Sequence, residues 1–147
     1  MKVKVENREN FANAMLNLGM AIKNQTETCG RLCGGLNEKE LMVIAFVGKN
    51  ENVKMSDIAE TIVAPMSTLT SIVDKLVEKK LINRDHSGED RRVINVSLSA
   101  TGKTAHNILV ETKDKIAIAV LSQLNEKEQV LISKYLNLLA AKMHPKK

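Results

Sequence analysis

Both ends of the chain show the apolar spacing of long helices. In a first segment, about residues 7–28, apolar side chains recur at spacings of four, three and four, which places them on one helical face. These residues are Phe11, Met15, Leu18 and Ile22. Near the C-terminus the pattern predicts helices over about residues 100–124 and 126–143. The first of these two is apolar nearly all round in its second half, so it needs more than one surface to bury against.

The middle of the chain predicts shorter helices. Asn37 and Glu40 have the spacing of a capping box, and they open a helix that we expect to end at Gly48. After a polar loop at residues 49–53, Ser56 is the expected N-cap of a short helix. A turn at residues 63–65 leads into a second helix, from about Pro65 to Lys79. Four apolar residues form its predicted inner face: Leu69, Ile72, Val73 and Leu76.

After Leu81 the apolar period changes to two. Ile94, Val96 and Leu98 alternate with polar residues, which predicts a strand with one buried face. A partner strand over about residues 81–85 and a turn at residues 87–89 complete a charged hairpin, and Ser99 is expected to cap the helix that follows. The order predicts a mainly α fold with a small β-hairpin wing (α+β), a winged helix-turn-helix with long terminal helices.

The same pattern predicts how the chain is organised. We expect a single domain over residues 1–147, with a winged helix-turn-helix DNA-binding lobe at residues 36–100. Residues 1–35 and 101–147 carry more apolar surface than this lobe can cover, so we expect them to form a helical dimerisation region. No run of eighteen apolar residues predicts a membrane span, and a cytoplasmic location is the expectation.

Net charge contributes little to the functional argument. The chain carries +5 at pH 7, but seven basic and seven acidic residues cancel between Lys54 and Arg92, where the DNA-binding elements are predicted. The excess lies toward the two ends. Charge alone therefore does not indicate nucleic acid, and the prediction of double-stranded DNA as a partner depends on the order of elements.

The second helix of a helix-turn-helix enters the major groove. Its outward face here begins with hydroxyl side chains, which can meet base edges and phosphates, and its N-terminus favours a phosphate. Arginines on a protruding hairpin can enter the minor groove, and Asp90 is expected to orient one of them. The predicted DNA-binding residues are Pro65, Met66, Ser67, Thr68, Thr70, Ser71, Lys75, Arg84, Arg91 and Arg92.

These segments resemble the multiple antibiotic resistance regulator (MarR) family. The matching runs are Ser56-Asp57-Ile58-Ala59, Ser67-Thr68-Leu69-Thr70, Val73-Asp74-Lys75-Leu76, Leu81-Ile82-Asn83-Arg84 and Asp90-Arg91-Arg92, with Leu98-Ser99 and Gly102. The resemblance implies a homodimer that binds a pseudo-palindromic operator, usually as a repressor released by a small phenolic or lipophilic ligand. The family usually has glycine where Lys80 stands, so the exit from the recognition helix is expected to differ here.

A junction between the DNA-binding lobe and the dimerisation helices could hold a small aromatic or lipophilic effector. Methionine is adaptable and suits such a cavity, although these residues could equally be plain core. The residues of this predicted pocket are Met15, Leu18, Met42, Phe46 and His106.

Redox, metal-binding, catalytic and protein-docking functions have less support in the sequence than DNA binding has. Cys29 and Cys33 could form a redox switch, but on one helical turn their Cβ atoms would lie about 5–6 Å apart, farther than a disulfide allows, so packed thiols are expected. His86, His106 and His144 have no metal-ligand spacing. No catalytic constellation and no cofactor motif is present in the sequence. A winged helix used for protein docking is the other alternative, although such a module would be free to lose Arg91, Arg92 and the hydroxyl face.

Overall fold

The computed structural model of the chain describes residues 3–86 and 93–143. Its elements are α1 (Val5–Leu32), α2 (Glu38–Asn50), β1 (Val53–Lys54), α3 (Met55–Thr61), α4 (Met66–Glu78), β2 (Ile82–His86), β3 (Ile94–Leu98), α5 (Ala100–Leu121) and α6 (Glu126–Met143). They divide into two compact units, Met1–Val110 and Glu111–Lys147. The predicted fold class, mainly α with a small antiparallel sheet, is confirmed.

The core lies in the N-terminal unit, where α2, α3 and α4 pack together against the sheet. All four residues predicted for the inner face of α4 are buried there. In the sheet, β3 lies between β1 and β2, and Val96 of β3 pairs with Val53 on one side and Arg84 on the other. Val96 is fully buried, whereas Ile94 and Leu98 pack half-buried at the margin of the core.

A buried carboxylate joins the start of α2 to the end of α4. The predicted capping box is confirmed: the Glu40 amide donates to Asn37 Oδ1 at 3.0 Å, and the Asn37 amide donates to Glu40 Oε2 at 2.9 Å. Glu40 is only 2% exposed, and its carboxylate also accepts from Lys79 Nζ at 3.1 and 3.2 Å. Since a buried charge is costly unless it is paired, Lys79 supplies the charge that this position requires.

Several predicted boundaries were wrong. Gly48 does not end α2, which continues to Asn50; instead a Cβ at Gly48 would overlap the ring of His106, so glycine permits close packing there. Val53 does not lie in a polar loop but pairs with β3, which makes the sheet three-stranded. Ser56 is not an N-cap, since α3 begins at Met55 after Lys54 and has no side-chain cap. Helix α1 is longer than predicted and α5 ends earlier.

Three helices end in the same way, with a residue in the left-handed backbone region. After α1 this residue is Gly34 (φ +81°), after α3 it is Val63 (φ +51°) and after α4 it is Lys80 (φ +59°). At α4 the amides of Lys80 and Leu81 donate back to the carbonyls of Val77 and Leu76, which is the Schellman motif. Lys80 therefore keeps the exit geometry that glycine would adopt, at a cost of roughly 1–2 kcal/mol for a non-glycine residue.

Ser99 connects the end of α4 to the start of α5. Its hydroxyl accepts from the Gly102 amide at 3.0 Å, which confirms the predicted cap, and it donates to the Lys80 carbonyl at 2.6 Å. The Ser99 amide donates to the Leu81 carbonyl at 3.0 Å. Gly102 is required by this close approach, because a Cβ there would overlap that same carbonyl oxygen.

The C-terminal unit contains the end of α5 and all of α6. A second capping box opens α6, with Asn125 and Glu128 exchanging hydrogen bonds at 3.0 and 3.1 Å. Gln129 Nε2 donates to the carbonyls of Leu121 and Leu124 and so closes the turn before α6. No described residue of α6 is buried. No helix within residues 3–86 and 93–143 is long and apolar enough to cross a bilayer.

The pair between Glu40 and Lys79 predicts an asymmetric effect on stability. Lys79→Met keeps the apolar stem but removes the ammonium group, which leaves the buried carboxylate with only the Asn37 amide. We expect the free energy of unfolding to fall by about 1–3 kcal/mol. Urea unfolding followed by circular dichroism measures the change.

Lys49→Met serves as the control, because Lys49 is an exposed lysine on α2. The double variant Glu40→Gln, Lys79→Met should recover part of the loss, since the amide still accepts from Asn37 but carries no charge. If Lys79→Met destabilises no more than Lys49→Met, the buried pair does not have this role.

Candidate nucleic-acid interface

Helix α4 has one buried face and one open face. Leu69, Ile72, Val73 and Leu76 hold the buried face against the core of the N-terminal unit. On the other side Ser67, Ser71, Asp74 and Lys75 are exposed, and Thr68 and Thr70 are half-exposed. The structure therefore brings the predicted helix residues together on one surface, which is called the reading face below. Such an open polar face is what a helix needs to enter a groove of DNA.

The N-terminus of α4 has free backbone donors. Pro65 is its N-cap residue and gives no side-chain hydrogen bond, and the first helical bond runs from the Leu69 amide to the Pro65 carbonyl. The amides of Met66, Ser67 and Thr68 thus have no partner within the helix. No acidic residue lies in the first turn. This end of α4 carries the positive pole of the helix dipole and suits an anion such as a phosphate.

The hydroxyl groups of the reading face are engaged with their own helix. Thr70 Oγ1 donates to the Met66 carbonyl at 2.9 Å, and Ser71 Oγ donates to the Ser67 carbonyl at 3.2 Å. A hydroxyl that uses its hydrogen in this way still presents acceptor lone pairs outward. In this conformation both side chains can accept from an amino group on a base edge, such as adenine N6 or cytosine N4.

Arg84 connects β2 to the recognition helix. Its Nη1 lies 2.7 Å from Oδ1 of Asp74, and both side chains are partly solvent-exposed. Arg84 was predicted only as a DNA contact, whereas in the structure it pairs with the reading face. A half-exposed pair of this kind contributes little to stability, but it fixes the direction of a guanidinium group beside α4.

The predicted wing arginines fall outside the described residues. The turn at residues 87–89 and the residues Asp90, Arg91 and Arg92 all lie between residues 86 and 93. The structure does give the register on either side, where the Cα atom of His86 pairs with that of Ile94 in an antiparallel ladder. The arginines are therefore carried by the segment that connects β2 and β3. His144 also lies outside the described residues.

The predicted effector pocket is only partly assembled. His106 lines a groove of about 570 Å³ with Val47 and Gly48 of α2, Leu98 of β3 and Lys103 of α5. Met15, Leu18 and Met42 are 37–48% exposed and do not line this groove, and Phe46 packs half-buried against the core. The remaining lining residues are polar: Glu51, Asn52, Ser97 and Asn107. The groove thus differs in both composition and place from the apolar pocket that the sequence suggested.

The two cysteines are buried thiols at the end of α1. Cys29 is 5% and Cys33 is 7% exposed, and neither forms a disulfide. Cys33 Sγ donates to the Ala105 carbonyl at 3.6 Å. Desolvation by burial, with the nearby Cys29 as a second cause, raises the pKa of Cys33 from 9.0 to about 11. Since the thiolate is the reactive form, Cys33 has the properties of a packed thiol. Within the described ranges, no three His, Cys, Asp or Glu residues cluster to hold a metal ion.

The order of α3, a tight turn, α4 and the strands β2 and β3 defines a winged helix-turn-helix protein. Residues 36–94 match the model of the MarR family. This match agrees with the resemblance to the MarR family that the sequence motifs indicated.

The chain is similar to several known proteins. It is 34% identical over 96 residues to the HTH-type transcriptional repressor MdtR of Bacillus subtilis, an alignment that covers 65% of this chain and 62% of MdtR. The chain thus spans about three fifths of the length of that relative. The crystal structure of YusO from Bacillus subtilis matches with 27% identity and a TM-score of 0.73, over 95% of this chain and 99% of YusO.

A further match is Streptococcus pneumoniae FabT, whose structure was solved in complex with DNA. It superposes with a TM-score of 0.79 over 95% of this chain and 97% of FabT, at 21% identity. That likeness establishes the fold.

The raised pKa of Cys33 predicts slow alkylation. At pH 7.5 a shift from 9.0 to about 11 lowers the thiolate fraction about 100-fold, and burial slows the reaction further. Cys33 should react with iodoacetamide at least 100-fold more slowly in the folded protein than in guanidinium chloride, and its rate should continue to rise between pH 9 and 11.

Tryptic mass spectrometry resolves the two thiols, because Arg31 separates them. The denatured protein, in which both thiols are free, is the control. If folded Cys33 is labelled at pH 7.5 as fast as in the denatured protein, the thiol is not buried and its pKa is not raised.

Proposed function

We propose that this chain is a sequence-specific transcription regulator that binds double-stranded DNA as a homodimer and acts as a repressor. The observation that carries the proposal is the reading face of α4: an open polar surface on a helix whose other face is locked into the core, with free amides at its N-terminus. The match of residues 36–94 to the MarR family and the similarity to the HTH-type transcriptional repressor MdtR support it. A relative of the same fold, FabT, was solved in complex with DNA.

The residues of α4 and of the wing have different proposed roles in DNA binding. Thr70 and Ser71 lie on the reading face and would contribute sequence preference through base edges. Arg91 and Arg92 would contribute affinity from the wing, with Asp90 orienting one of them, since phosphate contacts depend little on sequence. Residues 36–100 would form the DNA-binding lobe. In a dimer, two such lobes must reach half-sites about 34–36 Å apart, and this geometry calls for a pseudo-palindromic operator.

Exposed apolar side chains on α1 and α6 support the homodimer. On α1, Phe11, Leu18 and Ile22 are 48–56% exposed. On α6, Val130, Leu131 and Leu138 are 47–66% exposed. Large exposed apolar patches are rare on monomeric proteins, and obligate homodimers bury such side chains in their interfaces. Residues 1–35 and 101–147 would thus provide the dimerisation region.

A small effector would act by changing the spacing of the two reading faces. It can do so only if it binds the dimer with different affinity when the reading faces have the spacing that fits DNA and when they have another spacing. The groove beside His106 offers one place, and its volume falls in the range of small-molecule sites. Lys103 and His106 would suit the carboxylate of an aromatic acid better than a neutral lipophile, because the groove has a polar lining.

The wing proposal predicts a change in salt dependence. A duplex selected by the wild-type protein from a random-sequence library is titrated by fluorescence anisotropy between 50 and 200 mM salt. Arg92→Ala removes two phosphate contacts from a dimer, so the slope of log K against log salt should become shallower by about 2.

Lys142→Ala, on α6, removes the same charge far from the wing in sequence and should leave the slope unchanged. Equal slopes for Arg92→Ala and the wild type would contradict the wing assignment. A wild type that enriches no sequence and shows no salt-dependent binding would contradict DNA binding itself and favour the protein-docking alternative.

The dimer proposal predicts the mass of the protein in solution. At micromolar concentration the wild type should sediment at twice the mass of one chain, and Leu131→Glu should shift it toward the monomer because it places a charge in the apolar interface. Ser133→Glu introduces the same charge about 200° around α6 and should remain dimeric. A folded wild-type monomer at this concentration would contradict the proposal.

A further inference from the structure

The turn between α3 and α4 is an exposed apolar segment. It reads Ile62-Val63-Ala64-Pro65-Met66 and contains no polar side chain. Val63 is 68% exposed and Met66 is 48% exposed. The sequence predicts Val63 only as part of a turn, because turn residues are usually polar or glycine and nothing in the apolar period marks this one for function. Its exposure is visible only in the structure.

Val63 also has an unfavourable backbone conformation. Its φ of +51° places it at the left-handed position of a Schellman motif, in which the Ala64 amide donates to the Ala59 carbonyl at 3.1 Å. Glycine is the usual residue there, and a β-branched residue is a genuine outlier. The side chain gains little from burial in the protein, so neither its packing nor its backbone explains a valine at this position.

Val63 lies next to the reading face. Only two residues lie between it and Met66, the first residue of α4, so the two Cα atoms lie at most about 11 Å apart. In a helix-turn-helix the N-terminal residues of the second helix contact base edges in the major groove. The apolar turn therefore continues the proposed DNA-contacting surface, and the inference rests on the proposed function.

We propose that Val63, together with Met66, contacts thymine C5-methyl groups in the major groove and so determines part of the sequence preference. The thymine methyl is the apolar group that base pairs display in that groove. Apolar side chains match it, whereas Ser67, Thr70 and Ser71 match hydrogen-bonding edges. Val63 is thus a specificity-determining residue of the DNA-contacting surface, and its role differs from that of the hydroxyl side chains of α4.

The test removes the methyl group from the DNA and the side chain from the protein. The probe is the duplex that the wild type selects from a random library, synthesised with either thymine or uracil, which lacks only the C5-methyl group. The wild type should bind the thymine duplex about 4-fold more tightly for each methyl that becomes buried. Val63→Gly should bind the thymine duplex more weakly by a similar factor and discriminate thymine from uracil less. Met66→Ala should change discrimination in the same direction.

Lys80→Gly is the matched control. It replaces the other non-glycine left-handed residue of the helix-turn-helix unit, at the opposite end of α4. Both glycine variants should unfold at higher urea concentration than the wild type, so weaker binding by Val63→Gly cannot reflect a loss of folded protein. Lys80→Gly should keep the full preference for thymine over uracil.

Comparison of the two duplexes separates this proposal from a general loosening of the turn, which would weaken binding to both duplexes equally. Unchanged discrimination in Val63→Gly would overturn the thymine contact while leaving DNA binding intact. Failure of the wild type to select any sequence would instead overturn the proposed function on which the contact depends.

Discussion

The carboxylate of Glu40 is the constraint on which the position of the recognition helix depends. Among the described residues it is the one charged side chain that is buried in the core. It has two partners from different parts of the chain: the Asn37 amide at the start of α2 and the Lys79 ammonium at the end of α4. A buried carboxylate needs such partners. The two carboxylate oxygens of Glu40 therefore take part both in the capping of α2 and in the attachment of the end of α4. Apolar packing holds α4 against the core, and this pair fixes where along the core its C-terminal end lies.

Two further contacts extend this arrangement from α4 to the strands. Asp74 holds Arg84 of β2 at 2.7 Å, and the Ser99 hydroxyl accepts from the start of α5 while donating to the Lys80 carbonyl. A surface that reads DNA must hold its side chains in fixed relative positions, and supporting contacts outside the surface provide this. Arg84 is best understood as such a supporting residue. Its guanidinium group connects the reading face to the strand that leads into the wing.

Of the four described non-glycine residues with positive φ, Val63 and Lys80 lie at the two ends of the unit formed by the turn and α4. Val63 ends α3 and Lys80 ends α4, and each occupies the position at which α1 uses Gly34. The hydrogen bonds of the motif do not depend on the side chain, so any residue can complete them, but only glycine does so without steric cost. Local backbone strain of this kind is found where a side chain serves another purpose. At Val63 that purpose is the proposed thymine contact.

The sequence by itself determined the helices, the two hairpin strands and their order, because helical and strand periodicity, the Asn37–Glu40 capping box and the cap at Ser99 are local signals. The order of these elements predicted the winged helix-turn-helix fold and the outward face of α4, and the family motifs pointed to the same fold. Tertiary structure alone decided the features that depend on residues distant in the chain. Val53 lies in a strand because it pairs with the edge of β3. Gly48 lies inside α2, where the ring of His106 approaches too closely for any other residue. Glu40 pairs with Lys79, which lies thirty-nine residues later in the chain. Of the residues predicted for the effector pocket, only His106 lines the groove beside Gly48, because periodicity places a side chain on a helical face but does not determine what packs opposite it. The left-handed conformations of Val63 and Lys80 were likewise decided in three dimensions, because the direction in which the chain must leave each helix overrode the preference of the residue.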